Sequence, residues 1–267
     1  MRGPAQLGGQ SGLHFDAAIF DMDGVVTDTA GVHARAWKQM FDAFLEARSK
    51  TEHGPHEEFD IGRDYLAYVD GRPRYDGVES FLASRGIRLP RGDPSDPPGF
   101  ESVCGLGNSK NAIFRRIIER DGVRTFDSSV EMIREMGRRS VRTALATSSY
   151  NASEILGRTG LAALFRAVVD GAESARRGLR GKPDPDIFTA AALDIGARND
   201  RSIVVEDAVP GVLAGVRGGF ALVVGIARKG NADELRASGA GLVVRDLSET
   251  SLEHLSQLAQ DRRTITG

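Results

Sequence analysis

The chain reads as an α/β protein whose parallel-sheet core is interrupted after its first strand by an α-helical insert. Two observations predict this. From Val141 onward, short apolar runs alternate with stretches of helical spacing, the pattern of a parallel sheet covered on both faces. One further run, Ala17–Phe20, shares their apolar character but is separated from them by a long stretch with no such alternation.

Taken in order, the first strand is Ala17–Phe20, which ends abruptly in Asp21-Met22-Asp23-Gly24. The insert follows. Val32, Trp37, Met40, Phe41, Phe44 and Leu45 form one helical stripe, and Ile113, Phe114, Ile117 and Ile118 form another. A short helix over Val78–Ser84 stops at Gly86, and the Pro-, Gly- and Asp-rich stretch Pro90–Gly99 is a loop. Beyond it, Val141–Ala146, Val168–Val169, Ile203–Val205, Ala221–Ile226 and Leu242–Val244 read as strands. Ala152–Arg158, Pro185–Leu193, Val209–Arg217 and Asp233–Ala237 read as helices with glycine stops nearby at Gly160, Gly196, Gly218 and Gly239. The expected organisation is a disordered tail over residues 1–12, a Rossmann-like core from 13–29 and 126–267, and a helical cap over 30–125.

The totals narrow the function. A 267-residue chain with 40% apolar and 27% charged residues has ordinary globular composition, and a net charge of −2 offers nothing to nucleic acid or an anionic membrane. The arginine pairs at 115–116, 138–139 and 176–177 sit among acidic residues and read as solvated helix faces. The lone Cys104 rules out an intrachain disulfide and a cysteine-based zinc cluster. No stretch reaches membrane-spanning length, and Met1–Gly12 lacks the apolar core of a signal peptide. The expectation is a cytoplasmic monomer.

Open parallel sheets bind ligands beyond the carboxyl ends of their strands, so the residues there carry the chemistry. After the first strand come Asp21 and Asp23, which point to one side if the backbone stays extended and repel unless a cation joins them. Mg²⁺, a hard cation with a preference for carboxylate oxygens, is the natural candidate. After Val141–Ala146 come Thr147, Ser148, Ser149, Tyr150 and Asn151, leading into a helix whose first amides could hold an anion. Glu206 and Asp207 follow Ile203–Val205, and Lys182 sits in the rigid run Gly181-Lys182-Pro183-Asp184-Pro185-Asp186. Each piece alone has an ordinary explanation: an Asx turn, an N-cap, a surface lysine, a solvated loop start. Together they place carboxylates, hydroxyls and an ammonium on one rim, the inventory of phosphoryl transfer to a carboxylate.

In that order the four segments resemble the haloacid dehalogenase-like phosphotransferases, over Phe15–Val244. A cap inserted directly after the first motif resembles the subclass with a helical cap. Phe20–Trp37, Gly181–Phe188 and Glu206-Asp207-Ala208 with Gly211 resemble its β-phosphoglucomutase branch. The resemblance implies Asp21 as the nucleophile that becomes an aspartyl-phosphate and Asp23 as general acid/base. It implies Mg²⁺ on the Asp21 carboxylate, the Asp23 carbonyl and Asp207 with Glu206 nearby, and phosphate held by Thr147, the Ser148 amide and Lys182. It also implies a cap-side phosphate site: Arg74 as the cap arginine, Ser149 and Asn151 as its core helpers, Lys110 as the cap lysine and His33 at the hinge, with Trp37 close by. Arg72, two residues from Arg74, is a rival for that role. The implied reaction interconverts β-D-glucose 1-phosphate and glucose 6-phosphate through a hexose bisphosphate, with a sugar-phosphate phosphatase as the alternative. A non-catalytic sugar-phosphate binder would be expected to have lost a core residue, and none is missing. Two features depart from the pattern: Tyr150 stands where that branch commonly has lysine, and Pro90–Gly99 lengthens the cap.

Overall fold

The computed structural model describes residues 12–52 and 57–266. The expected tail lies outside them except for Gly12. Six strands form one all-parallel sheet: β1 (Ala17–Phe20), β2 (Arg142–Ala146), β3 (Ala167–Val169), β4 (Ser202–Glu206), β5 (Leu222–Ile226) and β6 (Leu242–Val244), in the order β3-β2-β1-β4-β5-β6. The runs are apolar at successive positions because both faces are covered. Ala18, Phe20, Leu145, Val205 and Val224 pack on one side with Val130, Ile133, Met136, Leu252 and Leu255. Ala17, Ile19, Ala144, Val204 and Val223 pack on the other with Ile187, Phe188, Ala191 and Val212.

The order explains where the site falls. From β1 the chain runs outward through β2 and β3, then returns to the other side of β1 for β4, so the strand order reverses at β1. Register does the rest. Phe20 lies opposite both Leu145 and Val205, which brings the residues after all three strands to one edge. The Asp21 amide continues the ladder by donating to the Val205 carbonyl at 2.9 Å.

Between β1 and β2 lie α1 (Ala30–Glu52), a π-helical segment Ile61–Val69, α2 (Arg74–Ser84), α3 (Val103–Asp121) and α4 (Asp127–Arg138). The first four share an apolar cluster of their own, with Trp37, Phe41, Phe44, Phe59, Phe81 and Leu106 buried together. Phe41 is its hub, with ring centroids 4.1 Å from Phe81 and 5.1 Å from Phe59. The remaining helices are α5 (Ala152–Thr159), α6 (Gly171–Arg176), α7 (Asp186–Asp194), α8 (Val209–Arg217), α9 (Ala232–Ala237) and α10 (Leu252–Thr266).

Several elements differ from the sequence expectation. The helix expected to begin at Val78 begins at Arg74, so Arg74 is helical rather than part of a loop. Pro73 supplies the fixed φ of a helix entry, and the Gly77 amide donates to the Pro73 carbonyl at 2.9 Å, closing the first turn. Ile61–Val69, α4, α6 and α10 fall outside the expected elements. In α4, Val130, Ile133 and Met136 recur at helical spacing and are buried, a pattern plain in the residues. Cys104 is buried at the start of α3, where burial pushes its thiol pKa up. Among the described residues, no helix is long and apolar enough to cross a membrane.

Candidate active site

The core wall of the cavity is built from strand ends. Asp21, Glu206 and Asp207 each offer an oxygen within 4.8 Å of the others, all three buried. Lys182 reaches in from the loop before α7 and donates to Asp21 Oδ1 at 2.6 Å and Glu206 Oε1 at 2.7 Å. The other Glu206 oxygen accepts the Asp207 amide, and the Ala208 amide at 2.8 Å. Glu206 is thus the member whose oxygens are already engaged, and it fixes Lys182 in place. Gly24 makes the approach of Asp207 possible: its φ is +87°, and a Cβ there would lie 2.0 Å from Asp207 Oδ2.

Negative charge is in excess here. Burial pushes the Asp21 carboxyl above the usual carboxylate range; Lys182 opposes this, while Glu206, Asp23 and Asp207 add repulsion. Burial likewise raises Asp207 to about 8, against the pull of Lys229. A donor set of clustered carboxylate oxygens carrying more charge than its ammonium neighbours offset fits a hard divalent cation.

Asp23, two residues from Asp21, has the opposite environment. Its carboxylate turns to Thr29, to His33 Nε2 at 3.3 Å and to Thr147 Oγ1 at 3.4 Å. Burial works against ionisation, but His33, Thr29 and Lys110 outweigh it and hold Asp23 at about 2. Behind His33, Lys110 Nζ lies 2.5 Å from Nδ1. When Lys110 is protonated it has no acceptor, so Nδ1 accepts and Nε2 carries the proton facing Asp23. Burial, with Arg74 repelling, lowers Lys110 to about 7. His33 stacks on Phe114 at 4.1 Å, and Lys110 Nζ lies 5.0 Å above the Trp37 ring.

The anion-binding candidates divide between the walls. Thr147 Oγ1 accepts the Ser149 amide at 3.1 Å, and Ser149 Oγ accepts the Asn151 amide at 3.2 Å, which winds the loop after β2 into the start of α5. Ser148 Oγ donates to the Gly71 carbonyl at 3.2 Å and so touches the insert. From the insert, Arg74 donates to Asn111 Oδ1 at 2.9 Å, and Asn151 Nδ2 donates to the same oxygen at 2.9 Å. The Arg74 guanidinium also sits 4.8 Å from the Tyr150 ring centroid. Tyr150 has room because residue 171 is glycine: a Cβ there would meet its ring at 2.5 Å.

One cavity collects Asp21, Asp23, His33, Arg72, Arg74, Thr147, Ser148, Ser149, Tyr150, Asn151, Lys182, Glu206 and Asp207 on its walls. Trp37 and Lys110 stand behind the wall, packed in the insert, and bear on the cavity through His33. Arg72 is exposed, whereas Arg74 is anchored by side chains from α3.

A family model described as haloacid dehalogenase-like hydrolase matches residues 15–219. The chain belongs to that family. It is 44% identical over 236 residues to a β-phosphoglucomutase of Mycobacterium tuberculosis, an alignment covering 87% of this chain and 90% of that one. It is 24% identical over 241 residues to a validoxylamine A 7′-phosphate phosphatase of Streptomyces hygroscopicus, covering 90% and 98%. The fold matches the crystal structure of a Clostridium difficile β-phosphoglucomutase with a TM-score of 0.69 at 20% identity, over 94% of this chain and 99% of that one.

Four site features lie outside the sequence expectations. Thr29, Asn108 and Asn111 act as hydrogen-bonding supports; the two asparagines are spaced i, i+3 around Lys110, which places them on one helix face. The fourth is Lys229, which carries an ion pair to Asp207. It follows β5, so the strand-end rule that finds Asp21 and Thr147 also points to it.

Proposed function

We propose that the chain is a Mg²⁺-dependent phosphomutase that interconverts β-D-glucose 1-phosphate and glucose 6-phosphate through an aspartyl-phosphate and a hexose bisphosphate. The observation that carries this reading is the second anion grip: Arg74 and Asn151, joined through Asn111, line the same cavity as Asp21. A transfer to water needs one phosphate site; a transfer between two hydroxyls of one sugar needs two.

In this reading Asp21 carries the phosphoryl group between turns. The low pKa of Asp23 keeps it ionised, the form needed to take the proton of an acceptor hydroxyl as that oxygen bonds to phosphorus and the bond from phosphorus to the Asp21 oxygen breaks. After the bisphosphate turns end for end, the Asp21 carboxylate attacks the other phosphate. The same proton passes from Asp23 to the departing sugar oxygen, so protons and charge balance over the cycle. Lys182, Thr147 and the Ser148 amide hold the transferring phosphate. A divalent cation on Asp21, the Asp23 carbonyl and Asp207 would offset the charge of that phosphate. The Lys110–His33 pair ties the cap to Asp23, which links the acid/base to closure.

The phosphatase reading draws on the Streptomyces relative and on Tyr150, an aromatic neighbour for Arg74 where the mutase branch commonly has a lysine. One experiment separates them. The protein is incubated with β-glucose 1-phosphate, Mg²⁺ and a trace of the bisphosphate, and phosphorus NMR follows the products. Glucose 6-phosphate supports the mutase; free phosphate alone replaces it with the phosphatase.

A further inference from the structure

Lys229 has no part in the chemistry above, yet it touches both halves of the site. Its Nζ donates to Asp70 Oδ1 and Oδ2, both at 2.8 Å, and lies 2.9 Å from Asp207 Oδ2. Asp70 is buried and closes the π-helical segment Ile61–Val69, its amide donating to the Tyr65 carbonyl at 2.9 Å. It also opens the short run that leads to Arg74. One residue on, the Gly71 carbonyl accepts from Ser148, so the run is pinned to the core at two adjacent points. Asp207 belongs to the carboxylate cluster suited to a divalent cation.

The two contacts of Lys229 differ in extent. Asp70 meets it through both carboxylate oxygens, while Asp207 meets it through one. A cavity of about 350 Å³ outside the phosphate-binding cavity reaches both Asp207 and Lys229. An ammonium beside a metal-binding carboxylate opposes a cation there. One shared with a cap carboxylate divides its charge between the two.

We infer that Lys229 is a positioning residue: an Asp70–Lys229–Asp207 bridge latches the Arg74-bearing run of the cap onto the core and couples that closure to divalent-cation binding at Asp207. Reciprocity follows, since whatever strengthens the hold of Lys229 on Asp70 weakens its opposition to a cation, and the reverse. The inference rests on the sugar-phosphate reading for its choice of substrate, not for its metal term.

The test measures Mg²⁺ affinity by calorimetry, with no substrate present, and KM for β-glucose 1-phosphate against kcat. The proteins are the full chain and its Asp70→Asn, Lys229→Met and Lys229→Arg variants, each checked for a cooperative thermal melt. Lys229→Met removes the competing ammonium and is expected to tighten Mg²⁺ about tenfold, within the roughly 5–150-fold range of such couplings. Asp70→Asn leaves Lys229 wholly to Asp207 and is expected to weaken Mg²⁺. Both release the latch and should raise KM several-fold more than they change kcat, and Lys229→Arg should restore KM. Opposite movements of metal affinity with parallel movements of KM are a signature that general damage to the fold does not produce. Mg²⁺ affinities that move the same way in both variants, or do not move, overturn the inference, as does an unchanged KM. If Lys229→Met fails to fold, Asp70→Asn decides by the same two readouts. If the unaltered protein does not turn over the sugar phosphate, the functional reading has failed, and the Mg²⁺ titrations alone decide the coupling.

Discussion

On the core wall Asp21, Asp23, Thr147, Glu206 and Asp207 sit within three residues of a strand end and Lys182 reaches in from the loop before α7, whereas on the cap wall groups meet through contacts between residues 34 to 77 apart in sequence. Backbone geometry alone delivers Asp21, Thr147 and Glu206 to one edge, because hydrogen-bonded parallel strands in register must end together. Nothing comparable places Arg74, Lys110 and His33, which depend on how α1, α2 and α3 pack. The difference assigns the labour. A wall fixed by the sheet can set one reaction and keep it, while a wall set by side-chain packing can be altered to accept another substrate without disturbing the chemistry. The M. tuberculosis mutase and the S. hygroscopicus phosphatase, both similar to this chain, fit that division.

The largest effect is expected from the core. Asp21→Asn keeps the shape but removes the attacking charge, so turnover of every phosphate ester should fall by several orders of magnitude while the thermal melt persists. Retention of more than about a tenth of turnover, a loss under roughly 1.4 kcal/mol, would break the assignment of the reaction to the core wall. Steady-state kinetics with a sugar phosphate and a small aryl phosphate decide it.

Asp23→Asn probes the junction of the walls, since Asp23 extends from the core and answers to His33 on α1. Sugar-phosphate turnover should collapse, because a sugar alkoxide leaves poorly without a proton. Phosphorylation of Asp21 by p-nitrophenyl phosphate in a single turnover should be spared. Equal losses for both donors would show that Asp23 orients the site rather than moving a proton.

How much of this is legible in the sequence follows the same division. β1, β6 and α8 fall at the residues expected, because an apolar run ended by a charged residue, or a helix closed by glycine, signals its own boundaries. The core residues were legible because the rule that locates them is local. Applied to β5 as well, it would have reached Lys229. The site residues of the cap were legible only through resemblance, although its helices α1 and α3 were plain in the periodicity. Arg74 lies outside the helix expected over Val78–Ser84, yet it is the first residue of α2, its guanidinium held by Asn108 and Asn111 of α3. Asn111, which joins Arg74 to Asn151 across 37 and 40 residues, carries no local mark of that role.

Arg74→Ala sharpens the comparison from the cap side. It removes the grip on the phosphate that is not reacting, and with it the binding energy that holds the acceptor hydroxyl in line. Isomerisation should slow by more than tenfold, consistent with about 1.5–3 kcal/mol for a charge-assisted contact. Hydrolysis of a small monophosphate should fall far less. Parallel losses would make Arg74 a structural support of the cap; no loss in either would pass the role to Arg72 or Lys110.

The smallest effect concerns what the cap wall costs the fold. Lys110 is buried against His33, Trp37 and Phe114, and burial lowers its pKa from 10.5 to about 7. Between those values the unfolded chain binds a proton that the folded chain does not, so folding grows more favourable as pH rises through the window. The penalty for burying the ammonium is therefore full below about pH 7 and gone above about 10.5. Lys110→Met should raise the melting temperature by a few degrees at pH 6, with the advantage shrinking by pH 9. In the proposed reading the same charge, acting through His33, also favours an anionic substrate. In the unaltered protein KM for the sugar phosphate should rise as pH climbs past 7, and in Lys110→Met it should be higher throughout and lose that rise. A melting advantage that is the same at both pH values would mean that Lys110 keeps its proton in the fold across that range. Its charge would then be constant, and KM should show no rise between those pH values.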